Sequence, residues 1–130
     1  MSSSIRRRRS VRRRRRRDDF GATPERSGQL NVGERSQGRL ERRRDRDWFA
    51  IDLDTGSSYR VDLKGKSLLN PHLRLRDSRG QILAEVDDPP TSLDPSVQFK
   101  ILRGGRFYLD VGSAHGAYRG TYSVSAQLLR

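Results

Sequence analysis

A chain of 130 residues has room for one domain, and the absence of cysteine excludes both a disulfide framework and a thiolate metal site. The net charge of +12 is concentrated: ten arginines stand in the first 17 residues, leaving 18 basic and 16 acidic residues in the remainder. No apolar run approaches the length of a transmembrane helix, and the N-terminus as written lacks the apolar region of a secretory signal.

Residues 1–17, "MSSSIRRRRSVRRRRRR", read as a disordered tail, because like charges repel and nothing there can be buried. Arg6, Arg7, Arg8, Arg9, Arg12, Arg13, Arg14, Arg15, Arg16 and Arg17 are candidates for contacting nucleic acid or an anionic surface by counterion release. No aromatic is interleaved among them, which argues against base stacking, and a solvated linker has the same composition. Residues 18–37 are rich in Gly, Ser, Pro and charge, with Phe20, Leu30 and Val32 as their only sizeable apolar groups. They read as an extended lead-in lying across the domain that follows, residues 38–130.

From Gly38 the pattern has period two, the spacing of a half-buried strand. In "DWFAIDLD", Phe49, Ile51 and Leu53 share one face, opposite Ala50, Asp52 and Asp54. "TGSS" turns the chain into "YRVDLKG", where Tyr59, Val61 and Leu63 alternate with charge. "HLRLRD" sets Leu73 and Leu75 against Arg74 and Arg76, and "DSRG" turns it into "QILAEVDD". Val97, Phe99 and Ile101 mark the next strand, "GG" turns, and "RFYLDVG" presents Phe107, Leu109 and Val111. "TYSVSAQLL" closes the chain with Tyr122, Val124, Ala126 and Leu128. Seven to eight short strands, each with an apolar and a polar face, predict an all-β fold, a jelly-roll-like antiparallel β-sandwich.

The ordered motifs "DDFGATPERSG", "GRLERRRDRDWFAIDL", "GSSYRVDL", "NPHLRLRDSRGQIL", "EVDD", "GGRFYLDV" and "GTYSVSA" resemble those of the bacterial pre-peptidase C-terminal domain. The collagen-binding domains of clostridial collagenases are similar. The likeness covers about residues 18 to 128. Asn70 stands where that pattern usually has Asp, Val86 where it has Asn, and Arg76 where it has an aromatic. "PPTSLDPS" replaces a Gly-rich acidic loop.

The resemblance implies a non-catalytic accessory domain, extracellular or periplasmic, that aids secretion, stability or substrate adhesion of an exported hydrolase. Its partner would be that protease or the protease's protein substrate. The alternative from a different class is a nucleic-acid- or anionic-surface-binding protein that acts through its arginine tail. By position, the resemblance implies calcium held by Asp18, Asp19, Asp45 and Asp47, with Asp87 and Asp88 as a second acidic pair, joined by Asp77 and Asp94. Calcium takes six to eight oxygens, and a close carboxylate pair suits it. Ordinary pairing of the same aspartates with Arg43, Arg44, Arg46 and the tail is the other reading. Trp48, next to inward Phe49, falls on the opposite face or the rim, and Tyr108 falls on the outer face. With Tyr118 in the "GAYRG" loop, they are the ligand-binding candidates the resemblance implies. His72 and His115 stand in no catalytic motif, and Ser113 beside His115 in "GSAHG" makes no nucleophile arrangement, so the chain reads as no enzyme.

Overall fold

Alternation along each strand decides the architecture, because residue parity determines which side chains enter the core. The computed structural model describes residues 20–86 and 94–129. The lead-in makes one 3-10 turn at Pro24–Arg26. Nine strands follow: β1 (Gly28–Gln29), β2 (Arg35–Leu40), β3 (Asp47–Leu53), β4 (Ser58–Gly65), β5 (Pro71–Arg76), β6 (Ile82–Val86), β7 (Ser96–Lys100), β8 (Gly105–Ser113) and β9 (Gly120–Leu129). They form a four-stranded sheet in the order β2-β9-β4-β7 and a five-stranded sheet in the order β1-β3-β8-β5-β6. From β2 onward the chain crosses between the sheets at every connection except the β5–β6 hairpin. This is the jelly-roll arrangement the alternation predicts.

The ninth strand is β1, inside the lead-in. It pairs in parallel with β3, Gly28 opposite Phe49 and Gln29 opposite Ala50, whereas the other ladders are antiparallel. The lead-in is also fastened by backbone: Trp48 N–H donates to the Gly21 carbonyl (3.1 Å) and Leu30 N–H to the Ala50 carbonyl (2.9 Å). Leu30 is buried, and the Phe20 ring lies 4.7 Å from that of Phe49. Apolar anchors and main-chain hydrogen bonds thus hold the lead-in to the sandwich.

Odd-numbered residues of β3, β5 and β8 fill the space between the sheets, among them Phe49, Ile51, Leu73, Leu109 and Val111. They meet Tyr59, Val61 and Leu63 of β4 and Tyr122, Val124 and Ala126 of β9. Each large side chain buried this way contributes roughly 1.5–3 kcal/mol, more than an exposed ion pair. Asp47 has the same parity as Phe49 and is fully buried with them. The Tyr122 hydroxyl donates to Asp47 Oδ2 at 2.5 Å, tying β9 of one sheet to β3 of the other. Tyr122 crosses directly over Gly38, its register partner on β2, where an added Cβ would overlap the Tyr122 hydroxyl.

Gly38→Ala is therefore expected to cost about 1–3 kcal/mol of stability, the scale of an overpacked core. The cost should shrink in part in a Tyr122→Phe background, which lacks the nearest clashing atom but keeps the ring carbon that bore it. Denaturant unfolding of the four chains in a double-mutant cycle measures both effects.

Candidate functional site

The even-numbered residues of β3, β5 and β8 form the outer face of the five-stranded sheet. Register aligns Trp48, Asp110, Arg74 and Glu85 in one row across it. The next row holds Ala50, Tyr108 and Arg76, and Gly112 lies opposite His72. Asp110 is completely buried at the centre of this face. Arg46 Nε donates to its Oδ1 at 2.5 Å and Arg76 Nε to its Oδ2 at 2.8 Å, with Arg74 Nη1 3.7 Å from Oδ2. Arg46 reaches Asp110 from the turn before β3 by lying across Gly112, where any side chain would displace its guanidinium.

A second set of contacts extends this centre. Arg46 Nη2 lies 3.1 Å from His72 Nδ1, and His72 Nε2 lies 3.1 Å from Glu85 Oε1. A guanidinium only donates, so Nδ1 accepts and the ring hydrogen sits on Nε2, facing Glu85. Arg74 Nε donates to the same Glu85 oxygen at 3.2 Å. Burial holds the Arg46 guanidinium below its usual pKa; Asp110 opposes this, while nearby Arg74 and Arg76 reinforce it. The hydrogen bond from Arg74 holds Glu85 below the usual carboxylate range.

Trp48 and Tyr108 are neighbours on this face, with ring centroids 5.5 Å apart, and are only 8% and 5% exposed. The Arg76 guanidinium lies 4.7 Å from the Trp48 ring centroid and donates to the Gly80 carbonyl at 2.6 Å. Its flat cation covers the indole at the position where the resemblance has an aromatic. Neither ring offers an open stacking platform. Tyr118 is exposed (37%) in the loop after β8, where its backbone N–H and carbonyl both hydrogen-bond Ser113 Oγ.

Each described acidic candidate accepts a hydrogen bond from the protein. Asp45 is buried and its Oδ2 accepts the Glu41 N–H at 2.8 Å, closing the turn over Arg42–Arg44, while Asp47 faces Tyr122 in the core. Asp77 Oδ1 accepts the N–H groups of Arg79 and Gln81, and Asp94 Oδ1 accepts that of Gly65. Among the described residues no three His, Asp or Glu side chains gather to hold a metal ion. Calcium takes six to eight oxygens, more than the described carboxylates gather in one place by themselves. Asp18, Asp19, Asp87 and Asp88 lie outside the described residues, as do the tail arginines Arg6–Arg9 and Arg12–Arg17.

Asp110, Arg46, His72 and Arg74 were not candidates from the sequence. Asp110 and Arg74 occupy polar positions in alternating strands, which read as solvated, and only cross-strand register shows that they converge. Two open clefts lie at this end of the face. One, of about 420 Å³, is bounded by Arg44, Arg46, His72, Arg74 and His115; the other, of about 370 Å³, by Arg26, Arg42, Arg44, Arg46 and Arg76.

The bacterial pre-peptidase C-terminal domain family model matches residues 45–113, more than half of the chain, from the turn before β3 to the end of β8. No curated protein matches the sequence. Among solved structures, the pre-peptidase C-terminal domain of a collagenase from Bacillus anthracis is similar with a TM-score of 0.59 at 15% identity, covering 80% of this chain and 97% of that one. Aeromonas hydrophila PliG, a periplasmic inhibitor of g-type lysozyme, gives 0.56 at 12% identity, covering 79% and 99%. CorA, a surface-associated copper-binding protein of Methylomicrobium album BG8, gives 0.60 at 8% identity, covering 79% and 98%. At these identities the likeness is one of fold.

Asp110→Ala strands three clustered guanidinium groups and is expected to destabilise the fold by about 3–5 kcal/mol, the scale of breaking a buried ion pair, measured by chemical denaturation. The Glu85 carboxyl, followed by NMR, should titrate below the ordinary glutamate value of about 4.3 and return toward it in Arg74→Ala. Because its folded-state pKa is depressed, the stability this pair contributes is present above the unfolded-state value. It is lost as pH falls through the folded-state value.

Proposed function

This chain belongs to the bacterial pre-peptidase C-terminal domain family, and from that premise we propose that it is a non-catalytic accessory module of an exported hydrolase, working outside the cytoplasm. The observation that carries this reading is that, among the described residues, Asp110, His72 and Ser113 are engaged by neighbouring groups. Asp110 is enclosed by guanidinium groups, His72 bridges Arg46 and Glu85, and Ser113 Oγ is hydrogen-bonded to the backbone of Tyr118 on both its donor and acceptor sides. A nucleophile or general base needs a partner poised toward a substrate, and these groups point into their own lattice. The buried face makes a rigid support, with the rim and loops left for contact.

The fold neighbours support the same setting. They include a domain of a collagenase, a periplasmic lysozyme inhibitor and a surface-associated binding protein. Carried to this chain, they favour a binding role beyond the cytoplasm.

The test is co-sedimentation of the purified chain with insoluble macromolecules, fibrillar collagen and peptidoglycan first, together with an assay for released peptides or sugars. Retention in a pellet without hydrolysis is the expected result. Turnover of either material, or a chain that stays in solution with both, overturns the reading.

A further inference from the structure

The two clefts on the outer face share Arg44 and Arg46, so they form a continuous surface with a guanidinium ridge between them. Six arginines, Arg26, Arg42, Arg44, Arg46, Arg74 and Arg76, line this surface against Asp45, Glu85 and the Asp110 beneath it. Among the described residues, the three inner guanidinium groups share two carboxylates, Asp110 and Glu85, which leaves positive charge in excess there. Positive charge that is half-buried and under-compensated is relieved by an anion from solvent.

Backbone conformation singles out the same place. Among the described residues, the non-glycine positions with left-handed φ are Arg44 (68°), Asn70 (49°) and His115 (57°). Arg44 and His115 line one cleft, and Asn70 is hydrogen-bonded to the loop that carries His115. Arg44 N–H donates to the Gly116 carbonyl, Ala114 N–H donates to the Asn70 carbonyl, and Arg44 packs so closely on Gly116 that an added Cβ would press against it. Strain of this kind persists where surrounding contacts over-determine it, and it concentrates at ligand clamps. Here it places the exposed Arg44 side chain on the ridge between the clefts.

We propose that the two clefts form one groove for a linear acidic polysaccharide, each cleft taking one sulfate or carboxylate group and Arg44 bridging them. This rests on the accessory-module reading and names the ligand class of its adhesion. Two separate concave anion sites fit a chain with repeated charges. The covered state of Trp48 and Tyr108 removes the stacking platform that single-stranded nucleic acid uses. His115, exposed at the rim, supplies a hydrogen-bonding group for a sugar hydroxyl.

The tail would bind polyanions by itself, so the test uses the full chain with its ten tail arginines replaced by serine. Calorimetric titration is run at physiological salt with dextran sulfate, polygalacturonate, neutral dextran and a thymidine oligonucleotide. Both acidic glycans are expected to bind, with neutral dextran silent. Arg44→Gly, which suits the left-handed backbone and so preserves the fold, should weaken binding about tenfold or more, as should Arg74→Gln. Loss of all binding with the tail arginines, unchanged affinity in both variants, or an oligonucleotide bound as tightly as the glycans overturns the groove. Retention on an insoluble substrate that survives Arg44→Gly leaves the accessory reading standing and overturns the groove alone. Turnover of collagen or peptidoglycan alongside glycan binding overturns the accessory reading and spares the groove.

Discussion

The outer face depends on one buried carboxylate. Asp110 has no solvent exposure, and it is neutralised by guanidinium groups from two places, Arg46 in the turn before β3 and Arg74 and Arg76 on β5. A charge removed from water is tolerable only when its partners are close and well oriented. That requirement fixes β3, β8 and β5 relative to each other beyond what their ladders alone impose. It also needs Gly112, because the arm of Arg46 passes through the volume a side chain would take. The sheet is therefore covered on both sides, by an apolar core within and by an ionic and aromatic layer without.

The stretch "RDRDWF" belongs to both layers. Asp47 turns in to receive the Tyr122 hydroxyl, while Arg46 and Trp48 on either side of it turn out to Asp110 and Arg76. Asp45 accepts a backbone N–H and closes the turn that launches Arg46 toward the face. Two aspartates so close in sequence thus act as separate structural acceptors. One orders the entry to the strand, and the other joins the two sheets.

The fold was legible because parity is local: from β2 to β9 each strand displays its inward residues within a window of five to ten positions, and the apolar sets found the core. The same parity contained the fate of Asp47, which has the phase of Phe49 and Ile51, although its charge suggested the surface. Trp48 was legible as facing away from the core, but its burial was not. Its cover comes from Arg76 and the turn at Gly80, brought near by the β5–β6 hairpin. Asp110 was the least legible, since its partners Arg46 and Arg76 are 64 and 34 positions away in the chain. Strand register carries that information, and no short pattern encodes it.

Composition also concealed the character of the surface. Beyond the tail the acidic and basic residues nearly balance, which describes a domain with no marked field. The structure separates them by task. Asp45, Asp77 and Asp94 accept backbone N–H groups, Asp47 is in the core, and Asp110 is beneath the arginines. A short carboxylate side chain suits such local acceptor work, whereas a long guanidinium side chain keeps its head toward water while its stem packs. Arginines consequently collect around the clefts, where among the described residues they outnumber the carboxylates. Local field follows from which charges are consumed in holding the fold, so net charge alone is a poor guide to what such a domain attracts.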